Sequence, residues 1–249
     1  YDMVGKYLGH VFDFIEVEKL IDKKIKNIIT LKRQYRMNEK ICSLVNKYFY
    51  NGNLITDVSV KTKNYPKFIN ENLILVDTSS SNPFCQMPAA GSRYNMVHAG
   101  AIRNLCVYLN DQKLIKDITS VGVTTPYKAQ QIFISDLIKE FSLNDIVSGT
   151  VHRFQGDQKD IVIFDIPDSE GVYPSPLIDA ASSREHGAKL MNVAFSRSKD
   201  ILIVFANVVY LQERLPANSI LRNLILDLQK KGKVIDIKEI IKLGPFNLP

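Results

Sequence analysis

The run Ile161-Val162-Ile163-Phe164 has no polar residue in it. A strand of that composition has to be covered on both faces, which is the situation of a central strand in a parallel sheet. A second apolar strand, Ile201–Phe205, follows a helix-like segment that ends in Ser196-Arg197-Ser198-Lys199, and Leu73–Asp77 is a third. Between the strands lie stretches with helical spacing. Asn38 reads as the N-cap of a helix to about Tyr50 with Ile41, Leu44, Val45, Tyr48 and Phe49 on one face. Asn95–Asn110 is helical through Val97, Ala101, Leu105 and Leu109. After the strand Val121–Thr124, Thr125 fits an N-cap and Pro126 the first helical position, with Ala129, Ile132, Phe133, Leu137 and Phe141 turned inward. A strand near Val147–Val151, a helix over Ala188–Arg197, helical sequence over Leu211–Gly232 and a last strand at Val234–Ile237 complete the alternation. Strands alternating with helices predict an α/β fold with a mostly parallel sheet.

With 249 residues, 45% of them hydrophobic, the chain can bury one large core. Residues 31–249 read as one domain, and 1–30 as an N-terminal segment, the tail of a preceding region. The formal net charge of +6 leans toward a polyanionic partner, though a soluble protein with excess lysine has the same balance. The lysines of Asp57–Asn72 (Lys61, Lys63, Lys67) read as a solvated face. Cys42, Cys85 and Cys106 are odd in number and widely spaced, which points to reduced thiols in an intracellular, cytoplasmic setting rather than a disulfide framework or a cysteine zinc site. No apolar run approaches the roughly 18 residues of a membrane span. The start Tyr1-Asp2-Met3-Val4-Gly5 is no signal peptide, and without an initiator methionine it reads as part of something longer.

Three clusters carry chemistry. Gln34-Tyr35-Arg36-Met37 and Ser196-Arg197-Ser198-Lys199 each place an arginine in a compact polar group beside an apolar segment, and Phe154–Asp160 is a glycine-bearing turn before a strand. Arginine stays charged and forms forked hydrogen bonds, which suits it to charge building on a γ-phosphate. Tyr35 has a ring that could lie against a flat base. Spacing alone leaves a second reading open, in which Tyr35 is a core aromatic, both arginines are surface ion-pair partners and Gly156 only makes a turn. Ligands of open parallel sheets bind at the carboxyl ends of strands, and Thr125-Pro126-Tyr127, the Gln155-Gly156 turn and the Arg197 region are expected beside such ends.

Ile161–Asp165 imitates a Walker B strand, but no G-x-x-x-x-G-K-[ST] occurs in the chain. Asp165 is therefore read as a strand-end acid. Asp165, Asp168, Glu170 and Asp179 form a solvated acidic loop rather than a nuclease centre. His10, His98, His152 and His186 lack metal-ligand spacing.

Leu31-x-x-Gln34-Tyr35-Arg36-Met37, Thr125-Pro126-Tyr127-Lys128-Ala129-Gln130, Val151-x-x-Phe154-Gln155-Gly156-x-x-Lys159-Asp160 and Asn192–Arg197 occur in this order. Together they resemble the second RecA-like domain of superfamily 1 helicases, of the 1B branch that holds the RNA helicase of nonsense-mediated decay and its DNA-acting relatives. The resemblance runs from about Thr30 to Ile235. It implies a RecA-like three-layer sandwich and an ATP-dependent DNA or RNA helicase or translocase. Arg36 and Arg197 would be arginine fingers. Tyr35 would stack on the adenine, with Gln34, Gly156 and Gln158 around the nucleotide. Thr125, Pro126, Tyr127, Val151 and His152 would lie toward single-stranded DNA or RNA, where the helix beginning at Pro126 would offer its positive end to a phosphate. The family's usual Gln-Gly-x-Glu ends here in Gln158, an amide without charge, and Leu-Thr-Arg-Ala appears as Phe195-Ser196-Arg197-Ser198. Walker A and B, and most of the hold on magnesium, would belong to an N-terminal RecA-like domain of the same protein, so this chain alone is expected to be inactive. The alternative is an inert helicase-like module that only grips nucleic acid.

Overall fold

The computed structural model describes residues 31–61, 63–88, 91–112, 114, 120–154 and 156–245. The expectation for residues 1–30 lies outside them. The strands are β1 (Arg33–Gln34), β2 (Ile55–Thr56), β3 (Leu73–Asp77), β4 (Val121–Thr125), β5 (Ile146–Thr150), β6 (Lys159–Ile166), β7 (Ser198–Ala206) and β8 (Lys233–Asp236). The α-helices are α1 (Glu39–Phe49), α2 (Met96–Asp111), α3 (Lys128–Glu140), α4 (His186–Phe195), α5 (Val208–Arg214), α6 (Ile220–Lys231) and α7 (Ile237–Ile241).

Six strands form the central sheet in the order β5-β4-β6-β7-β3-β8, and every pairing in it is parallel. Successive side chains of the buried strands point to opposite faces. Val162, Phe164, Leu202 and Val204 therefore pack with α1, α4, α5 and α6, while Ile161, Ile163, Ile201, Ile203 and Phe205 pack with α2, α3 and α7. The result is the three-layer α/β sandwich that the resemblance implies. β1 and β2 form a separate parallel ribbon at its rim. Among the described residues, no helix is long and apolar enough to cross a membrane.

Two local expectations change. The N-cap of α3 is Tyr127, not Thr125, because Thr125 stays paired in β4 and the helix starts at Lys128. The buried stripe of α3 is Gln130, Gln131, Ile134 and Ile138, with Phe133, Leu137 and Phe141 half-buried beside it and Ile132 exposed. Gln130 faces inward because its amide is drawn into a buried polar network, which rotates the helix relative to its apolar spacing.

A thin crossover positions the later motif. Between β5 and β6 the chain returns through a 3-10 turn, Val151–Phe154, rather than a helix. The Phe154 ring takes the space above two strand glycines. A Cβ built on Gly122 would come within 2.6 Å of that ring, and one on Gly149 within 2.8 Å.

Gly122→Ala is expected to destabilise the chain by about 1–3 kcal/mol through overpacking, despite the intrinsic advantage of alanine in a strand. Urea denaturation would measure it, and adding Phe154→Leu should recover part of the loss.

Candidate functional site

The Gln34–Met37 turn is shaped by one amide side chain. Gln34 Oε1 accepts the N–H groups of Arg36 (2.8 Å) and Met37 (2.7 Å). Its Nε2 donates to the Met37 carbonyl (2.7 Å) and to Thr56 Oγ1 (2.7 Å). Both lone pairs and both protons are thereby used. Gln34, expected among the nucleotide contacts, thus has its amide committed to holding the turn. Met37 is buried in the core, so the chain is anchored just past the turn, while Tyr35 is 67% exposed.

Arg36, also exposed, reaches back to the other arginine cluster. Its Nη1 donates to the Ser196 carbonyl at 3.1 Å. The Asn38 N–H donates to the Lys199 carbonyl at 2.6 Å, and the Lys159 N–H to the Arg197 carbonyl at 3.0 Å. The three clusters therefore meet where β6 and β7 begin, with Lys159 and Ser198 in register. Arg197 is half-buried, and its Nε is enclosed without a hydrogen-bond partner among the described residues. Burial lowers its pKa, and the neighbouring Arg36 charge pushes the same way, opposed by Tyr50 and Asp157. A guanidinium remains charged regardless, so two like charges share one rim. An anion placed there relieves the repulsion between them.

Gly156 stands at the same rim with φ of +94°, and apart from its chain neighbours no heavy atom of the described residues lies within 4 Å of a Cβ built on it. Its glycine is needed for the backbone conformation rather than for space. Gln158 is exposed, with its N–H on Asp157 Oδ1 (2.8 Å). Tyr35, Arg36 and Gln158 line a groove of about 440 Å³ together with Lys61, Lys63, Asp160, Lys199 and Asp200. Asp160 is the fixed point of its floor. It accepts from Ser120 N–H (2.8 Å) and Oγ (2.9 Å) and pairs with Lys63 at 3.1 Å, with Lys199 at 3.9 Å. Burial opposes its ionisation, but these bonds outweigh burial and hold its pKa below the ordinary carboxylate value. Lys61, Lys63 and Lys67 are exposed, as expected of a solvated face, and Lys63 also faces the groove. Lysines in that stretch were visible in the sequence, but nothing in it tied them to Asp160, almost a hundred residues later.

The expected placement at the carboxyl ends of strands is also corrected. Gly156 and Arg197 precede β6 and β7, and in a parallel sheet that puts them at the amino edge. Only Thr125-Pro126-Tyr127 lies at the carboxyl edge, after β4. That edge is filled by the chain's own buried polar groups. His98 bridges Asp165 Oδ1 (2.8 Å) and Thr78 Oγ1 (2.9 Å), and Gln130 Nε2 donates to Asp165 Oδ2 (2.6 Å). Asp168 pairs with Arg93, and Glu170 with Arg214 at 4.0 Å. Asp165 and Asp168 are fully buried rather than parts of a solvated acidic loop.

The residues expected along a nucleic-acid strand separate into two groups. Thr125, Tyr127 and Val151 are 1%, 5% and 1% exposed, so their side chains offer a strand almost no surface. Tyr127 lies under the Arg93 guanidinium, 5.5 Å from its ring centroid, and burial, with Asp168 beside it, pushes its hydroxyl pKa far up. The start of α3 is not open to a phosphate either: the Ala129 N–H donates to Ser92 Oγ (2.9 Å) and the Gln130 N–H to the Arg93 carbonyl (3.2 Å). Pro126 is half-buried and His152 exposed, with the His152 ring 6.0 Å from that of His186.

The AAA domain family model matches residues 15–209, most of the chain. The chain is 27% identical over 253 residues to the DNA replication ATP-dependent helicase/nuclease DNA2 of Bos taurus, covering 88% of this chain and 22% of that protein. It is 28% identical to an uncharacterized ATP-dependent helicase of Methanocaldococcus jannaschii, covering 76% and 28%. It is also 28% identical to the DNA polymerase alpha-associated DNA helicase A of Saccharomyces cerevisiae, covering 73% and 28%. The chain thus spans about a quarter of the length of these curated relatives. Among solved structures, the C-terminal domain of a possible DNA helicase from Lactobacillus aligns over 81% of this chain and 98% of that one, at 10% identity and a TM-score of 0.41, a likeness too remote to argue from.

Gln34→Leu removes all four bonds of the turn, each of which contributes about 0.5–1.5 kcal/mol net. Hydrogen exchange at the Arg36 and Met37 amides should accelerate at least tenfold while amides of β6 and β7 keep their protection.

Proposed function

Because the chain belongs to the AAA domain family, as a superfamily 1 helicase-like domain, we propose that it is the second motor half of an ATP-dependent helicase or translocase. The observation that carries this reading is the shared rim of Arg36 and Arg197, two cations brought together by the Arg36 side-chain bond to the Ser196 carbonyl. A triphosphate gripped by a neighbouring domain supplies the anion that such a rim lacks. Arg36 and Arg197 then neutralise charge developing on the γ-phosphate. Tyr35 offers its exposed ring to the adenine, and Gly156 and Gln158 edge the groove. Gln34 acts through its neighbours by fixing the direction in which Tyr35 and Arg36 leave the turn. Magnesium, when bound, would be held mainly by the other domain and would supply charge to the phosphates.

The arginines also link the nucleotide to motion. They sit on the segments that open β7 and lead into α1, so a nucleotide drawing them toward a neighbour carries the whole sheet with it. Alternating closure and release is how such a domain steps along single-stranded DNA or RNA. On this chain we assign the strand contact to the neighbourhood of Pro126 and His152, the accessible members of their group.

Arg197→Ala in the full-length protein should lower nucleic-acid-stimulated ATP turnover by about 10³–10⁵-fold, with the circular dichroism spectrum unchanged. Arg197→Lys should not restore it, because an ammonium lacks the fork. Unchanged turnover in Arg197→Ala would remove this residue from the mechanism. The 249-residue chain by itself should hydrolyse almost no ATP in a phosphate-release assay.

A further inference from the structure

One wall of the groove is the segment after β2, and it is a built turn. The Val60 N–H donates to the Asp57 carbonyl (3.1 Å), closing four residues, and the Ser59 N–H donates to Asp57 Oδ1 (2.9 Å). Asp57 Oδ2 pairs with Arg33 at 3.0 Å, and the Asp57 N–H donates to the Gln34 carbonyl at 2.9 Å. The turn is therefore bolted to the same residue that aims Tyr35 and Arg36. It delivers Lys61 to the groove at a fixed place.

Charge in the groove is unbalanced. Arg36, Lys61, Lys63 and Lys199 face two carboxylates, Asp160 and Asp200. Asp160 is taken up by Lys63, Lys199 and Ser120, and Asp200 accepts the Tyr65 hydroxyl at 2.8 Å. Among the described residues Lys61 makes no ion pair, and its side chain is exposed. An ammonium is a compact point charge with rotatable donors and no acceptor. The anionic part of a nucleotide is its phosphate chain, and the base and sugar carry no charge for Lys61 to meet.

We propose that Lys61 is a further nucleotide-binding residue, holding a phosphate of the nucleotide whose base lies on Tyr35. The inference rests on reading the groove as the nucleotide site, and it assigns to the Asp57–Lys61 turn a role in binding.

The test is equilibrium binding of ATP and of adenosine to the full-length protein and its variants. Lys61→Gln should weaken ATP about ten- to hundredfold, the range of a charge-assisted hydrogen bond, and leave adenosine unchanged. Lys61→Arg should keep most of the ATP affinity. If Lys61→Gln binds ATP as the parent does while Arg36→Ala weakens it, the role of Lys61 is overturned and the nucleotide site stands. If Lys61→Gln weakens adenosine as much as ATP, the phosphate contact is overturned. If Tyr35→Ala and Arg36→Ala both leave ATP binding intact, the groove is not the nucleotide site and the inference falls with it.

Discussion

The carbonyls of Ser196, Arg197 and Lys199 each accept a hydrogen bond from a segment remote in the chain. Arg36 is 160 residues away from its acceptor. Without these bonds the Gln34–Met37 turn, the Gly156 turn and the mouth of β7 are three unrelated surface loops. With them, an aromatic ring, two guanidinium groups and a lysine-lined groove share one rim. Backbone carbonyls are suitable for this task because their positions are set by the sheet, and side-chain substitution at β7 leaves them in place.

The sheet imposes a division of labour between its two edges. The carboxyl edge, where doubly wound folds commonly hold ligands, is closed by a continuous polar network through Thr78, His98, Gln130, Asp165 and Asn95. Buried polar groups that are fully paired stiffen the region they occupy. The amino edge differs in its like-charge pair of arginines and its exposed Tyr35.

Much of this was legible in the chain. The run Ile161–Phe164 requires cover on both faces, and alternation of strands and helices then leads to a parallel sandwich. Even the amino-edge position of Gly156 and Arg197 was implicit, since each precedes an apolar strand. Expecting them at carboxyl ends misapplied the rule for ligands to residues on the wrong side of their strands. The burial of Tyr127 and Val151 was not legible, because Tyr127 depends on Arg93 and Asp168 packing against it and Val151 on a core shared with α1 and α4. Nor was the orientation of α3, whose apolar spacing is overridden by the demand of Asp165 for the Gln130 amide.

What the amino-acid sequence determined by itself is local and periodic: which stretches are strands, which are helices, and which short polar clusters hold arginine, tyrosine and glycine. These follow from side-chain period and backbone preference, and they need only neighbours in the chain. Tertiary structure alone decided that Arg36 meets Ser196, that Lys63 meets Asp160 and that Lys61 lines the groove with no ion pair among the described residues. Such pairings depend on strand order, β6 beside β7 and β4, and strand order arises from packing the whole core at once.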